Sequence, residues 1–285
     1  MSHISLPVDY IADTAFLTAL YRAIESDRPD AHFKDSYARV LAGVHGEQLA
    51  QAMPDVNLAA AGCAVRTCVF DELILRVVKE NKVDTLLNLG SGLDTRPYRL
   101  PLPTSLHWIE IDLPIVLTYK ADKLGNAQPV CNLKSIPCDI TDAVARQTLW
   151  HEIKTTAKQG FIVTEGLLIY LTAEQVAVLA TDLYTQSQFR WWLCDLASPV
   201  ALQQIQKLLD KTPAIGEVRM QFAPEEGTDF FRQYGWETVE FHSFFEQKQR
   251  LNRGAISEEI LSQMSQEHFK ILYQMSGCVL LTRPE

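Results

Sequence analysis

The sequence predicts an α/β protein, a doubly wound sheet of the nucleotide-binding kind, and three observations carry that prediction. An apolar run through Val83, Leu86, Leu87 and Leu89 ends in Gly90-Ser91-Gly92 and is followed by residues able to start a helix. Short apolar stretches then alternate with helix-like ones, the pattern of strand and crossover helix. Acidic residues stand at the carboxyl ends of successive predicted strands, the side on which open α/β sheets bind ligands.

Residues 8–81 read as helical. Ile11, Ala15, Ala19 and Ala23 recur at helical spacing, Arg28-Pro29 breaks the run, a second helix covers Ser36 to Met53 and a third Asn57 to Lys79. Arg66 lies in the third among small residues (Ala59 to Ala61, Gly62, Ala64). Such an arginine is either an ordinary surface residue or one buried with a partner. Val83 to Leu89 is the first strand. Its Gly-x-Gly turn is needed if a ligand rests on the backbone, though many such turns serve packing alone.

Ser105 to Asp112 is the second strand, closed by Leu113-Pro114. Asp112 follows Gly90 by 22 residues, about where a doubly wound fold places the acid that holds a ribose. Period-two alternation puts Glu110 on the same side as Asp112, and a solvated strand end is the other reading of both. Asn132 to Cys138 is the third strand. Asp139-Ile140-Thr141-Asp142 follows it, and Thr141 or Asp142 can cap a helix running to Lys158. Phe161 to Thr164 is the fourth strand and leads into Glu165-Gly-Leu-Leu-Ile-Tyr-Leu171, then a helix from Thr172. A glutamate in so apolar a stretch needs a partner or a ligand. Phe189 to Ala197 is the fifth strand. Pro199 to Phe230 reads as an inserted helix and loop. Trp236 to Phe245 and Gly277 to Thr282 form a last strand pair around a helix from Glu258 to Gln274.

Composition narrows the partners. A chain of 285 residues with 47% hydrophobic content buries a large core. A net charge of −9 with no basic cluster argues against nucleic acid. No run nears the ~18 apolar residues of a membrane span, and Met1 to Pro7 carries no apolar export segment, so a cytoplasmic protein is expected. Cysteines 63, 68, 131, 138, 194 and 278 lack Cys-x-x-Cys spacing and the histidines form no ligand pair, which predicts reduced thiols and no metal.

Charge discriminates between ligands for the strand-end acids. A dinucleotide sets its pyrophosphate at the helix N-terminus, where Asp94 would repel it, and the turn lacks the third glycine of that fingerprint. S-adenosylmethionine carries no phosphate. Its sulfonium is cationic, its ribose offers hydroxyls to Asp112 and its adenine amine can donate to Asp139. Its carboxylate requires a cation, for which Arg66 is the fork-shaped candidate.

Several stretches resemble the motifs of leucine carboxyl methyltransferases and their bacterial relatives, the polyketide O-methyltransferases. They are Arg66-Thr67, Asn88-Leu-Gly-Ser-Gly-Leu-Asp-Thr-Arg-Pro-Tyr-Arg-Leu100, Ile109-Glu-Ile-Asp-Leu-Pro114, Thr164-Glu-Gly-Leu-Leu-Ile-Tyr-Leu171 and Gly235-Trp236-Glu237, in the same order over most of the chain. The resemblance implies a Rossmann-like class I methyltransferase with a seven-stranded, mostly parallel sheet. In that arrangement residues 1–81 are an N-terminal helical lid and residues 82–285 the core, with 198–231 an inserted lid segment. It further implies that Arg66 binds the methionine carboxylate, Gly90 forms the backbone turn, Asp112 holds the ribose, Asp139 and Ile140 meet the adenine, and Glu165 lies beside the methionine amino group. Arg22 is the best match for a basic cofactor contact on the first helix. Asn88 and Asp94 depart from the general methyltransferase pattern, in which an acid and a third glycine are common, but suit this family. With Ser91, Gly92, Asp94 and Glu110 added, these residues are the expected cofactor contacts.

The reaction expected is an in-line methyl transfer to a small-molecule acceptor bearing a carboxylate or hydroxyl. A carboxylate, with pKa near ~4, needs no general base, whereas a phenol near ~10 does, and no histidine lies in the strand-end motifs. A methyl ester product is therefore favoured. Tyr170 either orients the acceptor or packs. Two other readings stay open, a methyltransferase for a protein's terminal carboxylate and a module that binds S-adenosylmethionine without turnover; a dehydrogenase would be indicated if only NAD bound.

Overall fold

Three helices precede the sheet in the computed structural model, which describes residues 10–154, 157–210 and 219–284. They are α1 (Tyr10–Asp27), α2 (Ala38–Gln51) and α3 (Val56–Glu80). α1 ends just before Arg28-Pro29, because the residue ahead of a proline is pushed out of helical geometry. α3 begins where the Asp55 carboxylate accepts from the Leu58 N–H. Residues 1–9, on which the expected absence of an export segment rests, lie outside the described residues. No helix among the described residues is long and apolar enough to cross a membrane.

The chain then lays down β1 (Thr85–Leu89), α4 (Arg96–Arg99), β2 (His107–Asp112), α5 (Pro114–Leu124), β3 (Asn132–Pro137), α6 (Ala143–Ile153), β4 (Gly160–Thr164), α7 (Ala173–Thr185), β5 (Phe189–Ala197) and α8 (Pro199–Leu209). It closes with β6 (Glu237–Ser243), α9 (Phe244–Arg250), α10 (Glu258–Ser262), α11 (Gln266–Gln274) and β7 (Ser276–Thr282). The seven strands form one sheet in the order β3-β2-β1-β4-β5-β7-β6. β1 to β5 pair in parallel and β7 runs antiparallel between β5 and β6. This is the seven-stranded, mostly parallel sheet that the resemblance implied. Strand order reverses between β1 and β4, which leaves a crevice beyond their carboxyl ends.

Alternate residues of the central strands feed two cores, as the pleat requires. Leu87, Ile109, Ile162 and Trp192 pack with α6, α7 and Trp236 on one face. Leu86, Trp108, Phe161 and Leu193 pack with Phe70, Ile74 and Val77 of α3 on the other. Trp108, Trp192 and Trp236 are fully buried. At roughly 25 cal/mol/Å2, each contributes on the order of 5 kcal/mol before entropy is charged. The second half of α3 is therefore a layer packed directly on the sheet. α1, α2 and the start of α3 form a further apolar cluster with Leu93, with Val116 and Leu124 of α5 and with Leu209 of α8.

Four expectations about elements change. Leu113-Pro114 reads as a strand stop, but it opens α5: the proline occupies the first helical turn, where its missing N–H costs nothing. The helix after Asp142 stops at Ile153, short of Lys158. The single helix expected from Glu258 to Gln274 is two, because the Ser265 side chain accepts from the His268 N–H and starts a new one. Phe244 and Phe245 belong to α9 and end the strand at Ser243. The expected insertion contains α8 and a 3-10 segment at Gly227–Tyr234, while residues 211–218 of it lie outside the described residues.

Candidate functional site

The turn after β1 organises the crevice. Gly90 and Gly92 have φ of +65° and +51°, and a Cβ on Gly90 would lie 2.9 Å from Leu167 Cδ1, so only glycine fits there without strain. The Gly90 and Ser91 N–H groups donate to the Ile111 carbonyl at 2.9 and 3.1 Å, tying the turn to β2. Asp112, at the tip of β2, completes the tie, accepting from the Gly92 N–H at 2.6 Å and the Leu113 N–H at 2.7 Å. Burial pushes the Asp112 carboxyl above its ordinary value despite those two donors.

Beyond these tips lies a cleft of about 400 Å3. Its floor is the Gly90 turn, Asp112 and the residues after β3 and β4. α1 covers it with Thr14, Thr18 and Arg22, spaced by four and thus on one helix stripe, and α3 adds Cys63, Arg66 and Thr67. The capping box of Thr172 and Gln175 starts α7 at the rim, where Gln175 also lines the cleft.

Ion pairs knit the cleft wall. Glu165 takes Arg66 Nε on Oε1 at 2.9 Å and Arg96 Nη1 on Oε2 at 2.6 Å. Arg96 also donates from Nε to Asp71 at 2.6 Å and from Nη1 to Asp94 at 3.1 Å. Asn88 supports Asp94 with a hydrogen bond of 3.0 Å. Arg66 Nη1 reaches Asp195 at 3.2 Å. Arg22 donates to the Leu93 carbonyl at 2.7 Å and to Asp35 at 2.9 Å, and Asp35 also accepts from Thr95 Oγ1. Burial alone would raise Asp94 and Glu165, but the guanidinium charges outweigh it there, whereas at Asp195 burial wins and pushes the carboxyl above its ordinary value. Arg96 holds Asp94 at about 2 and, with Arg66, holds Glu165 below the usual carboxylate range. Both are ionised at neutral pH.

Nearly all residues expected at the site line this cleft: Arg22, Arg66, Gly90, Ser91, Gly92, Asp94, Asp112, Asp139, Ile140, Glu165 and Tyr170. Glu110 does not. It is buried beneath β2, where it pairs with Lys120 of α5 and accepts from Ser135 Oγ at 2.6 Å, so it braces the helix against the sheet. Of the two capping candidates, Asp142 caps α6 by accepting from the Ala145 N–H, and Asp139 accepts from Thr141. Arg66 is no surface residue, since two carboxylates hold it. Four charged participants of this network escaped sequence reasoning: Asp35, Asp71, Arg96 and Asp195. Asp195 sits near the end of β5, so the strand-tip rule that found the other acids could have found it too. No spacing signal points to Arg96 or Asp71.

The sequence profile of the family described as leucine carboxyl methyltransferase matches residues 15–183. A protein of Parafrankia sp. (strain EAN1pec), named "Putative S-adenosyl-L-methionine-dependent methyltransferase", is 32% identical over 182 residues, 60% of this chain and 58% of that protein. A similarly named protein of Mycolicibacterium smegmatis is 33% identical over 181 residues, 58% of this chain and 59% of its own length. The match thus spans less than two thirds of these curated relatives. Among solved structures, a "putative methyltransferase" from Thermobifida fusca YX has a TM-score of 0.58 at 15% identity, covering 99% of this chain and 97% of that one. A DUF574 family protein from Streptomyces avermitilis has a TM-score of 0.60 at 13% identity, covering 94% and 97%. At such identities the likeness is one of fold, the Rossmann-like class I methyltransferase fold.

Proposed function

The chain belongs to the leucine carboxyl methyltransferase family, and from that premise we propose that it transfers a methyl group from S-adenosylmethionine to an oxygen of a small acceptor, making the methyl ester of a carboxylic acid. The observation that carries this reading is the meeting of Arg66, Asp112, Asp139 and Glu165 around one glycine turn in a single cleft.

The residues present fit that methyl donor. Ser91 Oγ is buried at the cleft with no hydrogen-bond partner, the kind of orphan a ligand satisfies. Each Asp112 oxygen accepts one backbone N–H and keeps a lone pair for a ribose hydroxyl. Asp139 and Ile140, which line the cleft after β3, are the residues assigned to the adenine. Arg66 spends Nε and Nη1 on carboxylates, which leaves Nη2 for the ligand's carboxylate, while the ionised Glu165 faces its amino group. Arg22, on α1, closes the cleft over the turn, and α1 with the segment around Gln221 serves as the lid.

When bound, the cofactor supplies an electrophilic methyl group on a cationic sulfur. The chain's part is to hold and enclose. Asp94 and Glu165, kept ionised by their arginines, fix Arg66 and Arg96 along the cleft wall. Alignment of the two reactants can supply roughly 7 to 11 kcal/mol of the barrier. The lining among described residues holds neither histidine nor lysine, which suits an acceptor that arrives already ionised. The Tyr170 phenol, pushed up by burial, stays protonated and can donate to that acceptor.

Isothermal titration with S-adenosylmethionine and with NAD tests the first half, and binding of NAD alone would sink it. Incubation with a panel of carboxylic acids and phenols tests the second. The expected product releases S-adenosylhomocysteine on formation and methanol in mild alkali, as an ester does. An alkali-stable product would be an ether and would move the acceptor to a hydroxyl; cofactor binding without S-adenosylhomocysteine release would leave a sensor.

A further inference from the structure

Asp195 lies at the end of β5 beside the Glu165-Gly166 turn, with its side chain 15% exposed, and it is not part of the cleft lining. Its two oxygens do different things. Oδ1 accepts from the Gly166 N–H at 2.7 Å, and Oδ2 accepts from Arg66 Nη1 at 3.2 Å. Gly166 has φ +63°, and a Cβ there would lie 3.1 Å from Arg66 Nη1, so the guanidinium packs directly on the turn that Asp195 braces.

A guanidinium is planar and rigid, with its donors in a fixed fork. Held by Glu165 through Nε alone, the Arg66 head could swing about that one bond. A second carboxylate on Nη1 removes the swing and fixes the plane, so the direction of Nη2 is set as well. Asp195 supplies that second point and ties it to the same turn that carries Glu165. We propose that Asp195 is a positioning residue, which orients the free edge of Arg66 toward the carboxylate of the ligand's amino-acid moiety. The assignment rests on the cofactor reading above, and it makes discrimination for an α-carboxylate depend on a residue that never touches the ligand.

The test compares S-adenosylhomocysteine with its decarboxylated analogue, which keeps the adenosine, sulfur and amine. Calorimetric titration of the full chain measures both. Asp195→Asn keeps an acceptor for Gly166 but no longer offers Arg66 a charge. It is expected to weaken S-adenosylhomocysteine on the order of tenfold and to leave the analogue within about twofold. In an Arg66→Ala background the same substitution should change neither affinity. Equal loss of both ligands would make Asp195 a plain brace of the turn and overturn the proposal, as would an unchanged S-adenosylhomocysteine affinity. If Asp195→Asn does not fold, Asp195→Ser takes its place; failure of both to fold makes the residue a requirement of the fold and also overturns it. Wild-type protein that binds neither ligand defeats the cofactor reading itself, a separate outcome.

Discussion

Replacing Arg96 with methionine takes one guanidinium from among Asp71, Asp94 and Glu165 while keeping most of the side chain's volume. Arg96 is 4% exposed and lies 5.7 Å from the centre of the Phe70 ring, so its charge is largely shielded from solvent. Breaking a buried pair by removing one partner costs about 3 to 5 kcal/mol. The Asp94 carboxyl gives an independent check: held at about 2 against an ordinary 3.8, it contributes about 2 to 3 kcal/mol at neutral pH. Its depressed folded value means that this contribution is present above about pH 4 and is lost as pH falls toward 2. In the variant the largest lowering charge is gone, leaving Lys120, Arg99 and the backbone N–H of residue 96, so the folded Asp94 carboxyl moves up from about 2 and less stability is lost between about pH 4 and pH 2. The gap between the two proteins therefore narrows as pH falls through that window. Urea unfolding followed by circular dichroism at several pH values measures both. A loss under about 1 kcal/mol at neutral pH, or a gap between the two proteins that stays constant with pH, would refute this account.

Other substitutions separate binding from folding. Asp112→Ala and Arg66→Ala should each weaken S-adenosylhomocysteine on the order of tenfold or more with circular dichroism unchanged, and wild-type affinity in both removes them from the site. Gly90→Ala should cost about 1 to 3 kcal/mol in urea unfolding, because φ is +65° and Leu167 blocks the new methyl group. Glu110→Gln leaves Lys120 buried without its anion and should cost about 3 to 5 kcal/mol, yet the folded fraction should bind ligand within about twofold of wild type. A folded variant that cannot bind would return Glu110 to the cleft.

Much of the frame is written in local pattern. The apolar run into Gly90-Ser91-Gly92 gives β1 and its turn, since a strand must bury its side chains and only glycine takes φ of this sign at no cost. The alternation of strand and helix gives the parallel order, and strand tips then collect Asp112 and Glu165 on one side. Fates that depend on a neighbouring element escaped. Glu110 and Asp112 are two residues apart on one strand, but α5, whose start at Leu113-Pro114 reads as a stop, brings Lys120 over Glu110 and withdraws it from the cleft.

By itself the sequence determined the α/β class, the glycine turn and which strand tips carry acids, because each follows from periodicity and from what a backbone position tolerates. Tertiary structure alone decided the pairings. Arg96 meets Glu165 across 69 residues and Arg66 meets Asp195 across 129. Which arginine neutralises which carboxylate is a matter of distance in space, and no spacing along the chain encodes it until the sheet and its helices have closed.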